Sequence, residues 1–180
     1  MDLKKSLSFQ IEGKPFLFRT LVEDDVTQSY VDALSRQRMF LENNPEGIDI
    51  RWQRRYVKNI RESKWDTICG LFSDSQLLGT SGIQNIKPGE PVTAGIFVLN
   101  SEDRGKGYGK LLVWSSCTII HRLCGNEKFG AGAKKSNMAS WKVFLSCGFQ
   151  IAQEDHDIYK LALQIRDLKA AALLEQIVVE

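Results

Sequence analysis

Residues 93–110 of this 180-residue chain read T-A-G-I-F-V-L-N-S-E-D-R-G-K-G-Y-G-K. The run from Ala94 to Leu99 is short, apolar and β-prone, and Asn100, Ser101, Glu102 and Asp103 are turn formers, so a strand must stop near Leu99. Gly105, Gly107 and Gly109 then alternate with Lys106, Tyr108 and Lys110, and Leu111, Leu112, Ile119 and Leu123 follow on one face at helical spacing. The order is strand, glycine-punctuated loop, helix, with the loop at the helix N-terminus. Unpaired amides and the positive end of the helix dipole favour an anion there. Glycine lets the backbone come close to it, and Arg104, Lys106 and Lys110 add charge. A pyrophosphate is the natural guest.

Other phosphate loops fit less well. A P-loop needs Gly where Arg104 stands and Ser or Thr where Leu111 stands. A dinucleotide-binding loop wants G-x-G-x-x-G and an acid at the end of the next strand, whereas the spacing here is G-x-G-x-G and Glu127 precedes the next strand. Taken alone, G-K-G-Y-G is also compatible with a plain flexible turn.

A second segment, 137–149, reads N-M-A-S-W-K-V-F-L-S-C-G-F. Asn137 can cap a helix whose apolar face carries Trp141, Phe144 and Leu145, and Gly148 supplies a left-handed stop before Phe149. With both segments in order, the chain resembles the GNAT superfamily of acetyl-CoA-dependent N-acetyltransferases. R-G-K-G-Y-G is similar to that family's Q/R-x-x-G-x-G/A pyrophosphate loop, and residues 137–149 to its N-x-x-[AS]-x-x-x-[YF]-x-x-x-G-F helix. The segment 18–42, with Phe18-Arg19-Thr20-Leu21, Asp24-Asp25-Val26-Thr27, Tyr30-Val31 and Phe40-Leu41-Glu42, is similar to the opening of a branch from surface-polysaccharide and amino-sugar pathways. The resemblance spans most of residues 15–164, more strongly after Val92.

The resemblance implies an α+β fold with a mixed, mostly antiparallel sheet of six to seven strands flanked by helices. Its central strands splay to hold the coenzyme. Phe97, Val98 and Leu99 would face the pantetheine arm, Arg104, Gly105, Lys106, Gly107, Tyr108, Gly109 and Lys110 the pyrophosphate, and Asn137, Ser140 and Phe144 the pantetheine or adenosine side. The implied activity is direct acetyl transfer from acetyl-CoA to a primary amine of a small molecule, an amino sugar or its nucleotide conjugate, without a metal. Acetylation of a protein N-terminus and a non-catalytic acyl-CoA-binding module remain alternatives, as does an interaction scaffold whose loop binds nothing.

Two catalytic devices common in the family are replaced. The helix position that often carries a thiolate-protonating Tyr is Phe144, which has no proton to give, and Thr93 stands where an acid often begins the coenzyme strand. General acid–base help is worth ~10²–10⁴ in rate, whereas orientation alone can supply ~7–11 kcal/mol, so positioning can dominate. An α-amino-like group with pKa ~7.7–8.0 is partly neutral at cellular pH while a lysine at ~10.4 is not, which favours a low-pKa acceptor. Glu42 and His156 are the candidate catalytic groups.

The remaining sequence predicts one domain over 1–180, with a core at about 15–164. Strands are expected at 16–20, 67–73, 77–86, 92–99, 128–133, 149–152 and 158–164, and helices at about 24–35, 49–63, 108–123 and 138–147, with a last helix at about 166–178. Residues 43–47 read as a loop. A formal charge of +2 is too mild for nucleic acid. Arg51, Arg54, Arg55, Lys58 and Arg61 form a basic stripe that reads as a solvated helix face or a site for an anionic substrate such as a nucleotide sugar. No signal peptide or membrane-length apolar run is evident, so the expectation is cytoplasmic, with a homodimer allowed. Cys69, Cys117, Cys124 and Cys147 are scattered and read as free thiols, and Trp52, Trp65, Trp114 and Trp141 as packing residues.

Overall fold

The computed structural model describes residues 1–38, 49–169 and 175–179. Among these residues nine strands form one sheet: β1 (Leu7–Ile11), β2 (Lys14–Thr20), β3 (Thr67–Ser73), β4 (Gln76–Gln84), β5 (Val92–Val98), β6 (Lys128–Lys134), β7 (Gln150–Glu154), β8 (Ile158–Gln164) and β9 (Glu175–Val179). Their spatial order is β7-β8-β6-β5-β4-β3-β2-β1-β9. Every pairing is antiparallel except β5 with β6. The helices are α1 (Gln28–Arg36), α2 (Ile50–Glu62), α3 (Tyr108–Cys124) and α4 (Met138–Ser146).

Local chemistry explains the hairpins. Asp74 and Ser75 join β3 to β4 with φ of 49° and 63°, and Glu12 and Gly13 join β1 to β2 with φ of 51° and 74°. Positive φ at both central residues makes a type I′ turn, whose twist matches that of the strands it connects. A parallel pair needs a long crossover, and α3 is that crossover between β5 and β6.

The sheet is packed on both faces. Against one lie α3 and α4, over a core that includes Phe18, Leu71, Leu112, Ile119, Phe129 and Leu161. The other is covered by α1 and α2 at Leu21, Val26, Tyr30, Val57, Ile68 and Phe72. Helix α3 begins at Gly107 and is followed by Gly125, both left-handed, at φ of 88° and 72°. Residues without a Cβ suit such positions.

The feature that makes a site is at β5–β6. The two strands share only two rungs, Val92 with Phe129 and Thr93 with Gly130. Beyond them β5 stays paired to β4 as far as Val98, and β6 to β8 as far as Lys134. Residues 94–98 and 131–134 therefore diverge and leave a wedge between them.

The sheet is larger than the six to seven strands expected. β1 escaped the sequence reading, although L-S-F-Q-I alternates and the following Glu12-Gly13 is a turn signal. The helix expected at 166–178 is a correction: the structure has a short 3-10 turn at Ile165–Asp167 and the strand β9 at Glu175–Val179. The Ala- and Leu-rich stretch has helical propensity, but Ile177-Val178-Val179 is β-branched and the free edge of β1 recruits it, a tertiary override of a weak local preference. The helix expected at 24–35 splits into a 3-10 turn at Glu23–Asp25 and α1, which Thr27 caps by accepting from the Tyr30 amide.

Gly148 ends α4 with φ of +102°, and a Cβ there would lie 2.2 Å from the carbonyl oxygen of Asp167. The chain after β8 is bound at this point, where the Lys169 amide donates to Cys147 at 3.0 Å. Gly148→Ala should therefore destabilise the protein by at least about 2 kcal/mol, from left-handed strain plus overpacking. A lower urea midpoint with an unchanged m-value checks this; an unchanged midpoint would contradict it.

Candidate functional site

The chain leaves β5 through a 3-10 turn, Ser101–Asp103, and passes Arg104 and Gly105 before Gly107 opens α3. Gly105 and Gly107 take φ of +84° and +88°, and a Cβ on either would meet nothing within 4 Å. The space they face is therefore open and the packing does not fill it. Among the described residues the amides of Gly105, Gly107, Tyr108, Gly109 and Lys110 have no hydrogen-bond partner, while Leu111, the first amide to close a helical turn, donates to Gly107 at 3.1 Å. Five free donors at the positive end of a seventeen-residue helix form an anion cradle.

The cations around the cradle are positioned by their neighbours. Asp103 is buried and accepts from Asn100 at 3.1 Å and from the Lys106 ammonium at 2.8 Å. Lys106 holds the Asp103 carboxyl below the usual carboxylate range, and the pair fixes the loop's shape. Arg104 reaches Gln37 Oε1 at 2.9 Å, and Gln37 Nε2 donates to the carbonyls of Val98 and Leu99, each at 3.1 Å. Gln37, the residue that caps the end of α1, thus ties that helix to the end of β5 and to the loop's first cation. Sequence reasoning missed it, because nothing local marks a glutamine as a bridge across 61 positions.

Other expected coenzyme residues fall into two groups. Gly109 lies on the cradle and is also where α3 meets α4, since a Cβ there would sit 3.3 Å from Val143. Asn137 caps α4, accepting from the Ser140 amide at 3.3 Å, and both are half-buried. Val98 is a rung of the β4–β5 ladder, and the Leu99 amide donates to Leu78 at 3.0 Å. Tyr108 packs edge-on to Phe16. Phe144 is fully buried against Phe149 at 5.1 Å between ring centres, which makes it part of the core beneath the site and not of an open surface.

On the sheet face away from α3, Thr93 stands exposed at the last rung before the wedge, with Gly95 beyond it, Gly82 across on β4, and Gly130 and Gly132 on β6. Alternation along β5 puts Phe97 on this face too. Helix α2 borders it: Gln53 donates to the Tyr30 hydroxyl at 3.4 Å, and burial pushes Tyr30 up to about 12, with Thr80 of β4 as its other partner. Glu42 lies outside the described residues. His156 is in the β7–β8 turn with its side chain 94 % exposed, and its Nδ1 meets Asp157 at 2.8 Å.

Of the basic stripe, Arg61 pairs with Asp2 at 3.0 Å and Glu23 at 2.7 Å, and Arg54 donates to Val26 at 3.3 Å. Trp114 is buried, as a packing residue should be, but Trp52 is exposed. Among the described residues no cluster of His, Cys, Asp and Glu could hold a metal, and no helix is long and apolar enough to cross a membrane. A hollow of about 570 Å³ over β1–β3 contains Arg19. Its guanidinium is already satisfied by both Asp25 oxygens at 2.7 and 2.8 Å, and the cradle lies elsewhere.

A family model described as an acetyltransferase (GNAT) domain matches residues 16–150. Among solved structures, ribosomal-protein-S5-alanine acetyltransferase from Vibrio fischeri is similar with 16 % identity and a TM-score of 0.73, over 91 % of this chain and 99 % of that one. Spermidine N-acetyltransferase from Vibrio cholerae, in complex with CoA and spermine, gives 14 % identity and 0.70 over 84 % and 96 %. Campylobacter jejuni N-acetyltransferase PseH gives 18 % and 0.62 over 82 % and 97 %. At these identities the likeness concerns the fold. Among curated proteins none matches the sequence well enough to count as a relative.

Three of the four cysteines are buried in the packing. Burial pushes Cys69 up to about 12 and Cys117 and Cys147 upward, and only Cys124 is part-exposed. At pH 8 a thiol of pKa 12 is thiolate in about one molecule in 10⁴, and the thiolate is the reactive form. An aromatic disulfide reagent should label Cys124 first and the other three only on unfolding; rapid native labelling of two or more would refute this.

Proposed function

Because this chain belongs to the GNAT acetyltransferase family, we propose that it moves an acetyl group from acetyl-CoA to the primary amine of a small molecule, an amino sugar or a nucleotide-linked amino sugar. The observation that carries the reading is the row of five unpartnered amides between Gly105 and Lys110, opening beside a sheet whose central strands part after two rungs. These residues fit a pyrophosphate, because left-handed glycines with no neighbour at the Cβ position leave the backbone bare.

When bound, acetyl-CoA supplies a thioester whose acyl carbon is open to attack by a neutral amine. The chain's part is to hold and aim it. The amides from Gly105 to Lys110 would take the linked phosphates, with Arg104 and Lys110 beside them, and the wedge bounded by Phe97, Val98 and Leu99 would take the arm. Asn137 and Ser140 would border its far side, and Phe144 supports that wall from within.

No described acid or base stands at the apex of the wedge, where Thr93 is. The proton of the incoming amine is then lost mainly because the amine's own pKa is low. Glu42 and His156 would be the groups that carry it away. His156 is 94 % exposed in the β7–β8 turn, so its part would be a relay to solvent. The dominant contribution is orientation, which can supply ~7–11 kcal/mol.

Acetylation of a protein N-terminus is the competing reading, favoured by the exposure of Thr93 and Gly95 on the open sheet face. Turnover with nucleotide-linked amino sugars and with peptides separates the two, and activity on peptides alone overturns ours. Tight acetyl-CoA binding with no thiol released beside any amine would instead mark a non-catalytic module.

Gly107→Val should weaken acetyl-CoA binding in calorimetry at least about tenfold, the worth of one charge-assisted hydrogen bond or more, and unchanged affinity would refute the cradle. With a good acceptor, kcat/KM should rise with pH on one limb set by the amine's pKa, and an acceptor of higher pKa should move that limb up by the same amount. A limb that stays fixed across acceptors would reveal an enzyme base.

A further inference from the structure

Helix α2 carries two features that its packing does not use. Arg51 and Arg55 lie one turn apart on its exposed face and make no ion pair among the described residues, although like charges at that spacing repel. Trp52 and Tyr56 lie one turn apart on the adjoining flank, 40 % and 37 % exposed, with parallel rings 5.6 Å apart. Elsewhere on the helix Gln53 and Val57 are buried, Arg54 and Arg61 are bonded, and Lys58 sits beside Glu23.

The aromatic flank has a definite direction. Arg61 and Arg54 point toward Asp2, Glu23 and Val26, and at 100° per residue Trp52 and Tyr56 project from the other side of the buried stripe. On that side Gln53 meets Tyr30, Tyr30 meets Thr80 of β4, and Tyr56 lies near Tyr30 and Asp66. The pair therefore borders the open sheet face of Gly82, Thr93 and Gly95, the side of the wedge that α3 does not cover.

A stacked aromatic pair beside two unpaired guanidinium groups matches a ligand with a flat ring and a multiply charged anion about one side chain apart. Rings extend such stacks whatever their sequence of polar edges, and guanidinium suits phosphate oxygens. A polyamine would be repelled, and an acidic peptide would use the arginines but not the rings.

We propose that Arg51, Trp52, Arg55 and Tyr56 form the subsite for the nucleoside diphosphate half of a nucleotide-linked acceptor, with the base on the aromatic pair and the diphosphate against the two arginines. This rests on the acceptor reading above and narrows it to the nucleotide conjugate.

The test is calorimetry on protein first titrated to saturation with CoA, which fills the glycine cradle and independently reports on the coenzyme reading. UDP, GDP and ADP are then added in turn, with inorganic pyrophosphate and an oligo-glutamate peptide as controls. At least one nucleoside diphosphate should bind, pyrophosphate at least about tenfold more weakly, and Trp52→Ala and the double variant Arg51→Ala/Arg55→Ala should each lose about tenfold or more, as loss of a stacked base or of charge-assisted contacts entails. CoA affinity should not move, and the double arginine variant should keep the parent's melting temperature, since Arg51 and Arg55 are exposed and make no ion pair among the described residues. The proposal is overturned if no nucleotide binds, if either variant binds as the parent does, if pyrophosphate binds equally well, if CoA affinity falls with the variants, or if only the peptide binds.

Discussion

Everything about the site follows from how little β5 and β6 share. Two parallel strands in the middle of a sheet would ordinarily zip along their length, and the price of stopping after Thr93 and Gly130 is a row of backbone groups without a strand partner. The sheet tolerates this because each strand is fully paired on its other side, β5 by β4 and β6 by β8. α3 then bridges the wedge from behind, so the end of β5 delivers the chain straight to a helix N-terminus. Wedge and cradle are consecutive parts of one crossover.

That economy explains why this half was legible from sequence. Glycines at 105 and 107 are needed where φ is positive, turn formers stop β5, and Gly148 takes the left-handed stop after α4. Each is a local demand written in a local residue. The strand β9 was not legible, because Ile177-Val178-Val179 acquires its conformation from β1 at the far end of the sequence. Gln37 was invisible for the same reason: its partners are the end of β5 and Arg104, which only folding brings near. Trp52 looked like a packing residue because periodicity places residues on faces but does not say which faces remain uncovered.

The chemistry of the site is marked by what stands in ordinary places. Phe144 is sealed in the core and Thr93 is a neutral residue at the wedge's apex. A site with few titratable groups near its centre among the described residues depends on how well its walls are held, and those walls are interlocked. Asp103 pins Lys106, and Gln37 spans α1, β5 and Arg104. Such a network holds geometry without lending protons.

The two ends of the described chain close the sheet together. β1 and β9 pair at an edge separated from β5 by β2, β3 and β4. Fraying there would unfasten beginning and end at once, yet several fully hydrogen-bonded strands would still stand between the loosened border and the phosphate loop. A load on β9 would fall on that remote margin, whereas the N-terminal ammonium is held elsewhere, donating to the carbonyls of Ile60 and Asp66 where α2 leads into β3.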